Sequence, residues 1–389
     1  MDKHIIGVIA DDFTGAAEVA GVGLRYGLAP EVQTAFFRDC DARLLVLDTD
    51  SRSCSQNRAV GLVTEAARLL KDAGCDWIYK KVDSAMRGNI AAELQALISE
   101  LNRRRVLLVP ANPSLGRTIS NGRYFIDGCP IQETDFAQDP EYPATSSDVL
   151  ELLAWPESTP ARVLSADQPL PADGVIIGQT QTKDDLSAWA ARLDPYTIAA
   201  GGAEFFAAIL EETGFKTEPH DMPDKPQHPA KALFVCGGSS RYSREAISRA
   251  AQRGVPVITL PPELAGNGGT DELLARWSSQ VATALEKSPC AVLAVNQAVR
   301  QNAAAKQLSQ RIADLVDRIV RLRPLDQLYV EGGATASAIV RRLKWTRFIP
   351  RHELVPGVVT MTVLHKQDQY LTVKPGSYPW PESLFSTVV

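Results

Sequence analysis

Residues 77–94 read WIYKKVDSAMRGNIAAEL, and the fold turns on how this stretch is read. Trp77 to Val82 is a run of strand-forming residues that stops at a dense polar cluster: Lys80, Lys81, Asp83, Ser84, Arg87 and Asn89. The spacing of Ile90, Leu94, Leu97, Ile98 and Leu101 then predicts a helix. Strand, polar turn, helix places functional side chains at the carboxyl end of a parallel strand, where open α/β sheets bind their ligands. Cations beside a carboxylate suit an anionic substrate with a hydroxyl to activate. The plainer alternative makes Lys81, Asp83 and Arg87 a surface ion-pair network, with Asn89 capping the helix. Capping by Asn89 is expected under either reading. Six polar groups within residues 80–89, directly after an apolar strand, favour a site.

The same logic recurs at HIIGVIA (4–10), a short apolar strand that runs into Asp11-Asp12-Phe13-Thr14-Gly15 and a small-residue helix. One of the two aspartates is expected to cap that helix. Both doing only that is disfavoured, because adjacent carboxylates repel. Further strands are predicted at 31–37, 44–50, 105–111 and 174–180, with helical patterns at 57–73, 89–104 and 183–193. Alternation of this kind predicts a parallel sheet with helices on both faces. Four strands end in polar residues: Asp11/Asp12, Asp48/Asp50/Arg52, Lys81/Asp83 and Asn112. Between them, residues 112–131 read as a loop and hairpin, with Asn121-Gly122 as the turn. Arg117 and Arg123 in this loop fit an anion clamp or ordinary loop charges equally well. Residues 133–148 are a polar excursion without periodicity.

The sharpest composition change is GFKTEPHDMPDKPQHPA (214–230), with four prolines, many charges and almost no apolar residues. It reads as a linker between a first domain, 1–213, and a second, 231–389. The second repeats the βα rhythm, so the expected fold is α/β: two domains, each a mainly parallel sheet flanked by helices, with the active site in the cleft between them. Two turns of the second domain, Gly237-Gly238-Ser239-Ser240 and Gly332-Gly333-Ala334-Thr335, each follow a strand and open a helix. Such glycines let backbone N–H groups approach an anion at a helix N-terminus. Lys374-Pro375-Gly376 is a third tight turn that could line the same cleft. There is no GxxxxGK[ST] and no well-placed GxGxxG, which excludes a P-loop and counts against a dinucleotide site.

Composition narrows the class. The chain has 389 residues, 45% hydrophobic and 22% charged, with a formal net charge of −5. The charge argues against a nucleic-acid surface, and no apolar run approaches the ~18–20 residues of a membrane span. MDKHIIGVIADD passes straight into a strand without a signal-peptide pattern, so the expected location is the cytoplasm. Six scattered cysteines, without CxxC or Cys/His spacing, are expected to be reduced and mostly buried.

These motifs together resemble the four-carbon acid sugar kinases, which phosphorylate threonate, erythronate or 3-oxo-tetronate. ADDFTGAAEVA is similar to that family's ADD-x-TGA-x-D-x-A, DTDSRS to its strand end with an SR or TR pair, and KKVDSAMRGN to its K-x-DS-T-LRGN. VPANPSLGRTISNGRYFIDGCPI resembles its segment with GRT; GGSSR, EGGATASAI and VKPGSY resemble SGSCS, GGETSGAV and KSGNFG. The chain departs from the pattern at Glu18 (for Asp), Ala85-Met86 (for Thr-Leu) and Ala334 (for Glu), and in the KPGSYPWP turn. The resemblance implies that Asp12, Arg52, Lys81, Asp83 and Arg87 belong to a sugar-acid site in the first domain. It also implies that Ser240, Gly332, Gly333, Ala334, Thr335 and Gly376 contact ATP in the second.

The expected chemistry is phosphoryl transfer from ATP, accompanied by Mg²⁺ whose protein ligands the sequence does not name. Arg52, Lys81 and Arg87 would hold the carboxylate and the migrating phosphoryl group, and Asp83 or Asp12 would accept the hydroxyl proton. Asp11, Asn112 and Arg117 complete the expected substrate site. The partners are a sugar acid and ATP, with neither nucleic acid nor membrane; a homodimer is left open. Two rivals are a sugar-acid binding protein with a degraded ATP site, and an aldolase or dehydratase using Lys81 on the same acids.

Overall fold

Short strands, mostly of four to six residues and many of them rich in Val, Ile and Leu, build the sheets of this chain. The computed structural model describes residues 4–139, 141–156, 160–217, 231–237, 240–261, 263, 270–295, 305–364 and 369–384. The chain falls into two compact units, Met1–Glu218 and Pro219–Val389. Their boundary lies in the stretch expected as a linker, of which 218–230 fall outside the described residues.

In the first unit the strands are β1 (Ile6–Ala10), β2 (Pro30–Gln33), β3 (Leu44–Asp48), β4 (Trp77–Lys81) and β5 (Arg105–Val109). They continue with β9 (Ala161–Leu164), β10 (Gly174–Gly178) and β11 (Thr197–Gly201). They run in the order β2-β3-β1-β4-β11-β5-β10-β9, every pair parallel. Helices α1 (Phe13–Arg25), α2 (Gln56–Asp72) and α3 (Ile90–Glu100) connect the leading strands. The chain leaves β1 toward β2 and β3, then returns through α2 to β4 on the other side of β1. In open α/β sheets such a reversal marks the place, at the carboxyl ends of the strands, where ligands bind.

The loop between β5 and β9 carries a separate three-stranded sheet, β6 (Arg117–Ser120), β7 (Arg123–Ile126) and β8 (Cys129–Pro130), turned at Asn121-Gly122. The aperiodic excursion after it folds as 3₁₀ turns, Ile131–Glu133 and Asp135–Gln138, before a one-turn helix α4 (Val149–Leu152). Strand β9 was not expected; it is half-buried at the sheet edge and shows no alternating pattern. Helices α5 (Lys183–Ala190) and α6 (Ala203–Glu212) complete the unit. Its core gathers Ile9, Leu47, Val63, Leu94, Leu108 and Ile177.

The second unit runs β13 (Val257–Leu260), β14 (Cys290–Val295), β12 (Ala232–Cys236), β15 (Gln327–Glu331) and β18 (Tyr370–Lys374) in parallel. Antiparallel β17 (Val358–Val363) and β16 (Arg347–Val355) follow. Strand β16 was also unexpected: it is mostly half-exposed and carries Pro350, with register shifts on either side of His352. Helices α7 (Arg241–Gln252), Asp271–Lys287, Ala305–Leu322 and Gly333–Arg342 pack beside these strands. All six cysteines are free, but only Cys236 and Cys290 are buried; the other four are half-buried, against the expectation.

Candidate active site

Register brings the polar strand ends together. Ala10, the last residue of β1, pairs with Asp48 of β3 on one side and Lys81 of β4 on the other. The residues that follow each strand therefore emerge side by side. Arg52 grips Asp11 with two N–H groups, Nε to Oδ2 at 2.7 Å and Nη2 to Oδ1 at 3.0 Å. Its Nη1 donates to Asp12 Oδ2 at 2.9 Å. Asp12 is the N-cap of α1, accepting from Gly15 N and from the Thr14 hydroxyl, each at 2.8 Å. A side chain on Gly15 would put its Cβ 2.7 Å from Asp12 Oδ1, so glycine is required where the helix passes the carboxylate.

Asp83 and Arg87 sit beside this pair. Arg87 donates Nε to Asp83 Oδ2 at 2.7 Å and Nη2 to Oδ1 at 2.9 Å, and its Nη1 reaches Asp139 Oδ2 at 2.9 Å. Arg52 Nη1 stands 3.7 Å from Asp83 Oδ1. Asp83 is only 7% exposed, so the alternative of a surface network does not hold. Burial alone would raise the Asp83 carboxyl; Arg87 and Arg52 more than reverse this and hold it well below the usual carboxylate range. Asp11 is lowered in the same way, its burial outweighed by Arg52 and Lys80. Arg52 is raised despite its burial by Asp11, Asp12 and Asp83.

The two lysines point to opposite faces of β4, as the two-residue period of a strand demands. Lys80 meets Glu93 of α3 at 2.9 Å; Glu93 also accepts from Ser51 Oγ at 2.6 Å. Lys81 meets Glu18 of α1 at 3.1 Å and donates to Val82 O at 3.0 Å. Both lysines are buried. Asn89 holds the N-cap position of α3, but its side chain makes no cap bond: its amide donates instead to the carbonyls of Ser51 and Cys54, at 3.2 and 3.0 Å, tying the Arg52 loop down. Asn112 pairs its backbone with Arg117, and its Oδ1 accepts from Glu204 N at 3.4 Å, at the start of α6. Arg117 is buried and donates to the Ser84 hydroxyl, whereas Arg123 is exposed on β7.

Some residues here were not singled out from the sequence. Phe136 lies under two guanidiniums, 5.4 Å from Arg87 and 5.7 Å from Arg117. Asp139 pairs with Arg87, and the Tyr142 hydroxyl donates to the Arg52 carbonyl. No local pattern marks them. Glu18, the one acid of α1, and Glu93, on the buried first turn of α3, did carry a signal, an acid among apolar neighbours. A hollow of about 520 Å³ lined by Leu150, Trp155, Pro156 and Pro160 lies away from this chemistry and holds none of these residues.

In the second unit the three expected turns converge. Ser240 caps α7 and donates its hydroxyl to Gly376 O at 2.9 Å. A Cβ on Gly237 would lie 2.6 Å from Thr335 Oγ1, and one on Gly376 would lie 3.8 Å from Gly332 Cα. Gly332 has φ 91°, which a side chain rarely adopts, and leads into the helix Gly333–Arg342. Gly238 and Ser239 lie outside the described residues. A helix N-terminus ringed by bare backbone fits a phosphate chain. Among the described residues no group of three or more His, Cys, Asp or Glu could hold a metal ion. No helix among the described residues is long and apolar enough to cross a membrane.

Fold and site thus define a two-part α/β protein with a buried Asp–Arg cluster at the strand ends of one unit and converging glycine-rich turns in the other. A family described as "Sugar-binding N-terminal domain" matches residues 6–199, and one described as "Nucleotide-binding C-terminal domain" matches residues 233–378. The chain belongs to the four-carbon acid sugar kinase family. A D-threonate kinase of Salmonella typhimurium is 25% identical over 400 residues, covering 94% of this chain and 93% of the relative. A 3-oxo-tetronate kinase of Methylobacterium radiotolerans is 27% identical over 410 residues, covering 96% of each. A solved structure from Salmonella typhimurium LT2 shares the fold over 98% of both chains, with a TM-score of 0.78 at 21% identity. One from Haemophilus influenzae does so with a TM-score of 0.71 at 21% identity.

Proposed function

We propose that this chain is an ATP-dependent kinase that phosphorylates a hydroxyl of a four-carbon sugar acid, of the threonate, erythronate or 3-oxo-tetronate kind. The observation that carries the reading is a division of labour. The buried Asp–Arg cluster lies in the part matched as sugar-binding, and the converging glycine turns lie in the part matched as nucleotide-binding. The full-length relatives named as kinases support the same chemistry.

Arg87 is the most exposed cation of the cluster, 26% against 16% for Arg52 and 3% for Lys81. The acid's carboxylate therefore meets Arg87 first, in competition with Asp139. Arg52, fixed by Asp11 and Asp12, holds the cluster's shape and faces the developing charge. Asp83 is a weak base, because two guanidiniums stabilise its ionised form. Its role is to accept the hydrogen bond of the attacking hydroxyl and aim it, which suffices for a loose transition state with little proton transfer. Asp12 is the second candidate for that acceptor. Lys81, buried against Glu18, supports the α1 side of the site; that placement leaves the aldolase rival without an accessible amine. ATP supplies the phosphoryl group when bound, and Mg²⁺ offsets its charge; Ser240, Gly332 to Thr335 and Gly376 would cradle the phosphates.

A coupled ADP-release assay over a panel of tetronates, with and without Mg²⁺, tests this reading. Acid-dependent ADP release is expected. Thermal protection by a tetronate without protection by ATP, and no ADP release, would instead favour the binding-protein reading.

A further inference from the structure

The parallel register of β15 and β18 sets Glu331 opposite Lys374, each the last residue of its strand. Their side chains form an ion pair, Nζ to Oε2 at 3.4 Å, with both fully buried. Lys374 Nζ also donates to Pro375 O at 3.1 Å, and the Trp380 ring lies 5.3 Å over it. Trp380 Nε1 donates to Glu331 Oε2 at 3.3 Å, whereas Glu331 Oε1 finds no hydrogen-bond partner among the described residues.

Such a pair is a poor device for stability. Desolvating two charges costs several kcal/mol each, and an apolar pair of similar volume often packs as well or better. Burial here outweighs the help of Glu331 and lowers Lys374. An ammonium has three N–H groups, and among the described residues this one has two acceptors in place. The pair stands immediately before Gly332 and Gly376, whose backbones frame the helix N-terminus at Gly333. The remaining N–H of that buried ammonium has an explanation if an anionic ligand accepts from it.

We propose that Lys374 is the cation that grips the terminal phosphates of the nucleotide, with Glu331 as the positioning residue that holds it there. This rests on the nucleotide-binding reading of the second unit. Trp380 covers the pair, so the phosphates reach the ammonium by displacing the indole. The acid of this turn stands before the glycines, at Glu331, while the first helical turn has Ala334.

Calorimetric titration of adenosine, AMP, ADP and ATP into the full-length wild type, Lys374→Met and the double variant K374M/E331L tests it. Adenosine and AMP should bind all three alike, while ADP and ATP should bind both variants about 10–100-fold more weakly. Equal ATP affinity in wild type and double variant, or equal weakening of all four ligands, would overturn the proposal and leave the kinase reading standing. A wild type that binds none of the four removes that reading and the proposal together. The double variant leaves no unpaired buried charge, which guards against misfolding of the single one. A measurement on the wild type decides without any variant. An acyl-phosphate derivative of ATP should acylate Lys374: Nζ forms a bond to the acyl carbon, the C–O bond to the γ-phosphate breaks, ATP leaves and the proton goes to solvent. Excess ATP should protect Lys374; an unmodified Lys374 amid other acylated lysines would count against it.

Discussion

Asp83 and Arg87, four residues apart, form a two-pronged ion pair, at 2.7 and 2.9 Å, that is shielded from solvent on the carboxylate side. A structural role and the proposed catalytic one therefore fall on the same residue, Asp83, and its replacement has two expected consequences. Removing one partner of a buried pair costs about 3–5 kcal/mol; Asp139 still contacts Arg87, which points to the lower end. Asp83→Asn should lower the unfolding free energy by about 3 kcal/mol in urea melts. Turnover per folded molecule should fall about 10²-fold, because the attacking hydroxyl is no longer aimed. Normal turnover by the folded fraction would leave Asp83 a structural residue only.

Asp12→Asn separates capping from chemistry. Asparagine caps helices as well as aspartate does, and Arg52 keeps its grip on Asp11. Stability should change by about 1–2 kcal/mol, while turnover should drop if Asp12 orients the hydroxyl. Wild-type turnover in both Asp12→Asn and Asp83→Asn would remove the carboxylate mechanism.

The same pairs make stability depend on pH in one direction. Asp11 and Asp83 have folded-state pKa values below those of the unfolded chain. The stabilisation they contribute is complete above the unfolded value of about 4 and is lost as pH falls below it. Melting temperature should hold level from about pH 7 to 5 and decline below about pH 4. The decline should be shallower in Asp83→Asn; a wild type that is as stable at pH 3 as at pH 6 contradicts this.

Asp139 is 17% exposed and pairs with Arg87 where the acid's carboxylate is expected. A partly exposed pair is worth up to about 1 kcal/mol. Asp139→Asn should therefore lower KM for the sugar acid about 5-fold, with kcat little changed. An increased KM would show Asp139 holding Arg87 in position rather than competing for it.

Much of this was open to reading along the chain, because it depends on neighbours in sequence. Strand and helix alternation follows from local apolar periodicity, so β1, β3 and β5 lie on runs of Ile, Val and Leu, and β4 on the strand-forming stretch from Trp77. The Asn121-Gly122 turn and the capping of α1 by one of its two aspartates are likewise local. The edge strand β9 and the antiparallel β16 escaped because half-exposed strands carry no clean two-residue pattern.

What only the tertiary structure decided is which charges meet. Lys80 and Lys81 are adjacent in sequence, yet they face Glu93 and Glu18 on different helices. Asn89 stands where a cap belongs but serves a loop 35–38 residues upstream. Glu331 and Lys374 pair across 43 residues because two strand ends fall in register. Ionic partners are chosen by distance in space and by the loss of competing water on burial, and neither quantity is written in residue spacing.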